Sequence, residues 1–172
     1  MERRVLLGMV PAVLASSASG FAQGRGRAQG PGLTAEQRAP VTSTPPGARD
    51  RFVGVYRLVV YQPHGDRPTG RIYYDAAGHM GALLHQPDRT PLPETPTIDD
   101  YRAATQGLVA YYGTYDVDPA TGRVVHHIEA ASNPAWIGTD FFRWYAFEGN
   151  RLTLRTNPSS SNPLVWERLP DK

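Results

Sequence analysis

Between Gly107 and Leu154 the chain reads GLVAYYGTYDVDPATGRVVHHIEAASNPAWIGTDFFRWYAFEGNRLTL. Aromatic and β-branched runs alternate with short turns of Gly, Asp and Asn. A chain patterned in this way returns each strand beside its predecessor as consecutive antiparallel hairpins. Continued around, such a meander closes into a barrel whose interior either fills with side chains or holds one ligand. The alternation predicts strands near 53–62, 70–75, 79–86, 108–117, 123–131, 140–147, 151–156 and 163–169. The fold class expected is therefore all-β, an antiparallel up-and-down β-barrel of about eight strands, just wide enough for one small ligand.

The turns fit that reading. Asp75-Ala76-Ala77-Gly78, Asp118-Pro119-Ala120-Thr121-Gly122 and Glu148-Gly149-Asn150 place Pro and Gly where fixed or positive φ is needed. The connection 87–107 is longer. Within it Thr97 caps a short helix, Ile98 to Gln106, between the third and fourth strands, with Asp99 and Asp100 in the first turn and Gly107 as its stop. A helix so placed is expected to cover one mouth of the barrel.

Charge divides the chain. Residues 1–49 hold six arginines against Glu2 and Glu36, whereas residues 50–172 carry a net −2. The folded part is near neutral, which argues against a nucleic-acid partner. The absence of cysteine excludes disulfides, thiolate metal sites and cysteine nucleophiles. Arg3 and Arg4, the apolar run Val5 to Ala15 and the small residues behind it match a secretory signal peptide over 1–22, cut after Ala22. Residues 23–50, rich in Gly, Pro, Ala and Arg, read as a flexible linker. Residues 51–172 form the barrel domain. The expected location is periplasmic or secreted, with no integral membrane segment after signal removal.

Strand register narrows the candidate site. Val109, Tyr111, Tyr115 and Val117 form the more apolar set of one strand, and Val124, His126, Ile128 and Ala130 that of the next. With Val117 opposite Val124, Tyr115 falls opposite His126 and both sets face inward. His126 then stands in the barrel either as a ligand donor or general base, or as a core histidine satisfied by a tyrosine hydroxyl. Arg143, among Phe141, Phe142, Trp144 and Tyr145, faces inward if Gly149-Asn150 is a two-residue turn. There it could hold a ligand carboxylate or stack on a ring. Asn133-Pro134-Ala135-Trp136 presents an indole at the rim, as a ligand contact or as a plug. The candidate ligand-binding residues are Tyr111, Tyr115, His126, Trp136 and Arg143. No cofactor and no metal is expected: His126 and His127 point to opposite faces, and His79 and His85 lie roughly 20 Å apart. The chain contains no G-x-S-x-G, no H-E-x-x-H and no phosphate loop.

The segments GVYRLVVY, GRIYYDAAGHMGALL, VAYYGTYDVD, VVHHIEAASNPAWIGTD, RLTL and LVWERL together resemble the bacterial and fungal lipocalin-like domain proteins, from about Gly54 to Arg168. Gly54-Val55-Tyr56 stands where authentic lipocalins carry Gly, any residue, Trp. The resemblance implies a barrel with a central cavity. In the wider class that cavity binds small hydrophobic molecules, and some barrel relatives are cyclases or isomerases. The expectation is an exported monomer that binds a small hydrophobic or aromatic ligand. The alternatives are a small cyclase or isomerase using His126 as acid or base, and an envelope interaction module whose barrel is filled by its own side chains.

Overall fold

The computed structural model describes residues 34–39, 41 and 43–170. The residues expected to form a signal peptide, 1–22, and the first part of the expected linker lie outside the described residues. Eight strands follow one another around a closed ring: β1 (Gly54–Val60), β2 (Thr69–Tyr74), β3 (His79–His85), β4 (Val109–Asp118), β5 (Arg123–Ala131), β6 (Asp140–Glu148), β7 (Arg151–Arg155) and β8 (Leu164–Arg168). Each pairs antiparallel with its sequence neighbour, and β8 closes on β1. Among the described residues the one α-helix, α1 (Ile98–Thr105), joins β3 to β4.

Alternation decides which side chains fill the interior. Tyr56 and Leu58 of β1, Ile72 and Tyr74 of β2, Met80, Ala82 and Leu84 of β3, and Leu152 and Leu154 of β7 are all buried at every second position. The register between β4 and β5 pairs Val117 with Val124 and Tyr115 with His126, as the apolar pattern predicts. Beyond Gly113 the register shifts by one residue. The extra residue in β5 brings Ala131, not Ala130, opposite Tyr111, so Ala131 packs against the core and Ala130 moves to the outer face. Glycine is required at position 113, because a Cβ there would collide with the His127 carbonyl oxygen.

The two ends of the barrel differ. At the base the hairpins β2–β3, β4–β5 and β6–β7 turn over tightly, and the chain enters β1 and leaves β8 at this same end. Phe52, fully buried just before β1, fills the base, with its ring 4.9 Å from Tyr145, 5.0 Å from Phe147 and 5.3 Å from Tyr74. Its burial together with theirs removes most of this end from water, a contribution of about 2–3 kcal/mol for the Phe side chain alone. The mouth carries the longer connections.

The described part of the segment read as a flexible linker makes specific polar contacts with the base. Arg49 Nη2 donates to Asp116 Oδ1 at 2.8 Å and to the Tyr115 carbonyl at 3.0 Å. Thr44 Oγ1 donates to the same carboxylate at 2.7 Å and accepts from the Val117 amide at 3.0 Å. Arg123 Nη1, almost fully buried, donates to the Gln37 carbonyl at 2.8 Å. Composition conceals this, because the segment is held by hydrogen bonds and ion pairs more than by apolar burial.

Helix α1 begins with a capping box between Thr97 and Asp100, whose side chains each bond the other's backbone amide. None of its residues is buried, and Ile98 and Tyr101 are exposed. It stands away from the barrel and does not seal the mouth. Among the described residues no helix is long and apolar enough to cross a membrane.

Candidate functional site

The interior changes character along the barrel axis. Toward the base it is a solid core, with Tyr115, Val117, Val124, Tyr56, Met80 and Leu152 almost inaccessible. Toward the mouth accessibility rises, and Val109, Leu164, Trp136 and Arg143 are half-buried and Tyr111 is 8% exposed. These half-buried inward side chains make up the mouth half of the interior, the cup.

His126 lies at the boundary between the two halves and is wholly buried. Its Nε2 is 2.8 Å from the Tyr74 hydroxyl and its Nδ1 3.2 Å from the Tyr111 hydroxyl. Burial, and then the Arg143 and His127 charges, push its pKa well below the ordinary histidine value, so the ring is neutral. A neutral imidazole donates from one nitrogen and accepts at the other. Tyr74, the more enclosed of the two tyrosines, has no other hydrogen-bond partner among the described residues, which favours its O–H as the donor to Nε2. Nδ1–H then donates to the Tyr111 oxygen. The Tyr111 proton is then left without an acceptor among the described residues. Burial raises the pKa of both tyrosines, Tyr74 strongly, so both are protonated donors near neutral pH.

The direct pairing of Glu148 with Arg151 makes Gly149-Asn150 a two-residue turn, which sets the parity of β6. Arg143 consequently shares the inward face with Phe141 and Tyr145 and lies opposite Val124. Its guanidinium stands 5.1 Å from the Phe141 ring centroid and donates to the Phe142 carbonyl at 2.8 Å. It also lies beside the Tyr111 hydroxyl, where its charge offsets part of the effect of burial on that group. Among the described residues no carboxylate lies within ion-pair distance of Arg143.

Trp136 ends a 3-10 turn, Pro134–Trp136, which Asn133 caps by accepting from the Ala135 amide. Its indole is 5.5 Å from the Phe141 ring, at the rim. Tyr111, Phe141, Trp136 and Arg143 are thus brought together at the mouth. Tyr115 is not with them. It lies in the base, 4.8 Å from the Tyr74 ring, and its hydroxyl donates to the Asp75 carbonyl at 2.8 Å. Burial pushes its pKa up to about 12.

Two features escape a reading by residue type. Trp166 of β8, across the ring from β4, is buried with its indole Nε1 unpartnered among the described residues. A hollow of about 480 Å³ lies on the outer face of β2–β5, where Gly81, Ala110 and Ala130 form a low floor between Tyr73, Leu83 and Tyr112. Small outward residues flanked by large ones in alternating rows are the sequence signal for it. Among the described residues no three His, Asp or Glu side chains gather as a metal site.

A closed eight-stranded meander with a plugged base and an accessible mouth places the chain in the class of lipocalin-type barrels. A family model described as a lipocalin-like domain matches residues 53–168, and the chain belongs to that family. No curated protein matches the chain.

Proposed function

We propose that this is an exported barrel protein that holds a small, largely apolar ligand in the mouth half of its interior. The observation that carries the reading is the group of inward side chains left half-buried toward the mouth, Trp136, Arg143, Val109 and Leu164, beside the buried ring of Tyr111 and above a base in which Tyr115, Val117, Val124 and Met80 are inaccessible. Burial of ligand apolar surface, about 25 cal/mol per Å² before the costs of association, drives binding, and a few polar groups orient the molecule. The enclosure of His126 favours binding over acid–base chemistry, because both ring nitrogens are already committed to tyrosines and the ring does not reach solvent. Export rests on Arg3, Arg4 and the apolar run Val5 to Ala15. Native mass spectrometry of the protein purified from its own host tests the ligand reading. A retained small molecule that leaves on denaturation supports it. A bare chain that also takes up nothing from a library of apolar molecules overturns it.

A second reading rests on a different observation. The outer hollow at Gly81, with Tyr73 and Tyr112 exposed beside it, favours an interaction module that uses the outside of a filled barrel. Binding that depends on Tyr112 and is indifferent to Tyr111 selects this alternative.

A further inference from the structure

The polar groups that face the cup are nearly all donors. Arg143 carries five N–H groups, one of which is bonded to the Phe142 carbonyl, and it has no carboxylate partner among the described residues. The Tyr111 hydroxyl lies beside Arg143, and with Tyr74 donating to His126 its proton has no acceptor among the described residues. Trp166 adds a buried indole N–H with no acceptor among the described residues, on the wall facing β4. The closest barrel carboxylates in register, Asp116 and Asp140, project from the outer face and are engaged there by His127 and, for Asp116, Arg49.

A partly desolvated guanidinium without a counter-charge is costly, and so is a buried N–H without an acceptor. An interior that, among the described residues, supplies positive charge and donors but no negative charge is complementary to an acceptor-rich anion. One guanidinium beside one hydroxyl matches the two oxygens of a single carboxylate. The surrounding Phe141, Trp136, Val109 and Leu164 suit an apolar body attached to it.

We propose that the ligand is a small organic acid, its carboxylate held by Arg143 and the Tyr111 hydroxyl and its apolar part lying against Phe141 and Trp136. This rests on the ligand-binding reading above and narrows it to a chemical class. The test compares matched probes by calorimetry on the wild-type chain: cinnamate against cinnamamide, and octanoate against octan-1-ol. Each acid is expected to bind at least ten-fold more tightly than its neutral counterpart, about 1.4 kcal/mol. Arg143→Gln is expected to abolish that preference, and Arg143→Lys to retain part of it. Equal affinity of acid and neutral probe on the wild type overturns the inference and leaves the ligand-binding reading intact. Failure of all four probes to bind counts against both. A preference that survives Arg143→Gln overturns the assignment to Arg143. The wild-type comparison decides the question of class even if the variants do not fold.

Discussion

His126 and His127 are adjacent in β5, yet they occupy opposite electrostatic worlds across one thickness of sheet. The first is clasped inside by two tyrosine hydroxyls. The second lies outside between two carboxylates, with Nδ1 2.7 Å from Asp140 and Nε2 3.2 Å from Asp116, the latter also bound by Arg49. Strand alternation separates them, and the separation has a measurable titration signature.

The hydrogen bond to Asp140, with smaller contributions from the Asp140 charge and from Asp116, raises the pKa of His127. Its stabilisation is complete below the unfolded value of about 6.5 and is lost as pH rises through the higher folded value. Burial lowers the pKa of His126, so its contribution is complete above about 6.5 and is lost as pH falls toward the lower folded value. Melting temperatures measured from pH 5 to 8.5 are therefore expected to decline on both sides. His127→Gln should flatten the alkaline side alone, and His126→Phe the acid side alone. His126→Phe also strands the Tyr74 proton, at a further cost of about 1–3 kcal/mol. Identical profiles for the two variants would contradict the assignment.

Phe52 is expected to act as the keystone of the base. Phe52→Ala removes a ring packed against Tyr74, Tyr145 and Phe147 and should cost about 3–5 kcal/mol in urea unfolding. Arg49→Ala, which removes a partly buried ion pair and a hydrogen bond to the Tyr115 carbonyl, should cost less, about 1–2 kcal/mol. The reverse order would show that Phe52 is not the main stabilising contact of the base.

Two glycine substitutions should differ in severity. Gly113→Ala drives a methyl group into the His127 carbonyl, which the bulge cannot move aside, and should destabilise the barrel by more than about 2 kcal/mol. Gly81→Ala meets only the exposed ring of Tyr73, which can swing outward, and should cost less than about 1 kcal/mol. Chemical denaturation of the two variants compares them directly.

Adjacent tyrosines discriminate the inner site from the outer one. Tyr111→Phe removes the hydroxyl that faces the cup and should weaken ligand binding several-fold while leaving the apolar contact. Tyr112→Phe, on the outer face, should leave it unchanged. A larger effect at Tyr112, read by calorimetry, would move the binding site to the outside of the barrel.

Much of this architecture is legible in the chain itself. Short turns at Asp118–Gly122 and Glu148–Asn150 and period-two apolar sets place β4 to β7 and the pairing of Tyr115 with His126 without coordinates. The side of Arg143 follows once the length of its turn is known. Local pattern does not reveal which end of the barrel is filled. Tyr111 and Tyr115 share one face of one strand, yet one meets the mouth and the other the base, because Phe52 enters from a distant stretch of chain. The bulge that exchanges Ala130 for Ala131 is equally hidden, since it depends on a glycine in the partner strand. The anchoring of Thr44 and Arg49 on Asp116 is hidden for the same reason: long-range polar pairing leaves no periodic trace.

The strands begin and finish at the plugged end, with Gly54 entering and Arg168 departing there. A fusion partner, bead or surface joined to either flank of the barrel therefore sits behind it. Displayed in that way, the molecule turns its mouth toward the medium, clear of whatever carries it.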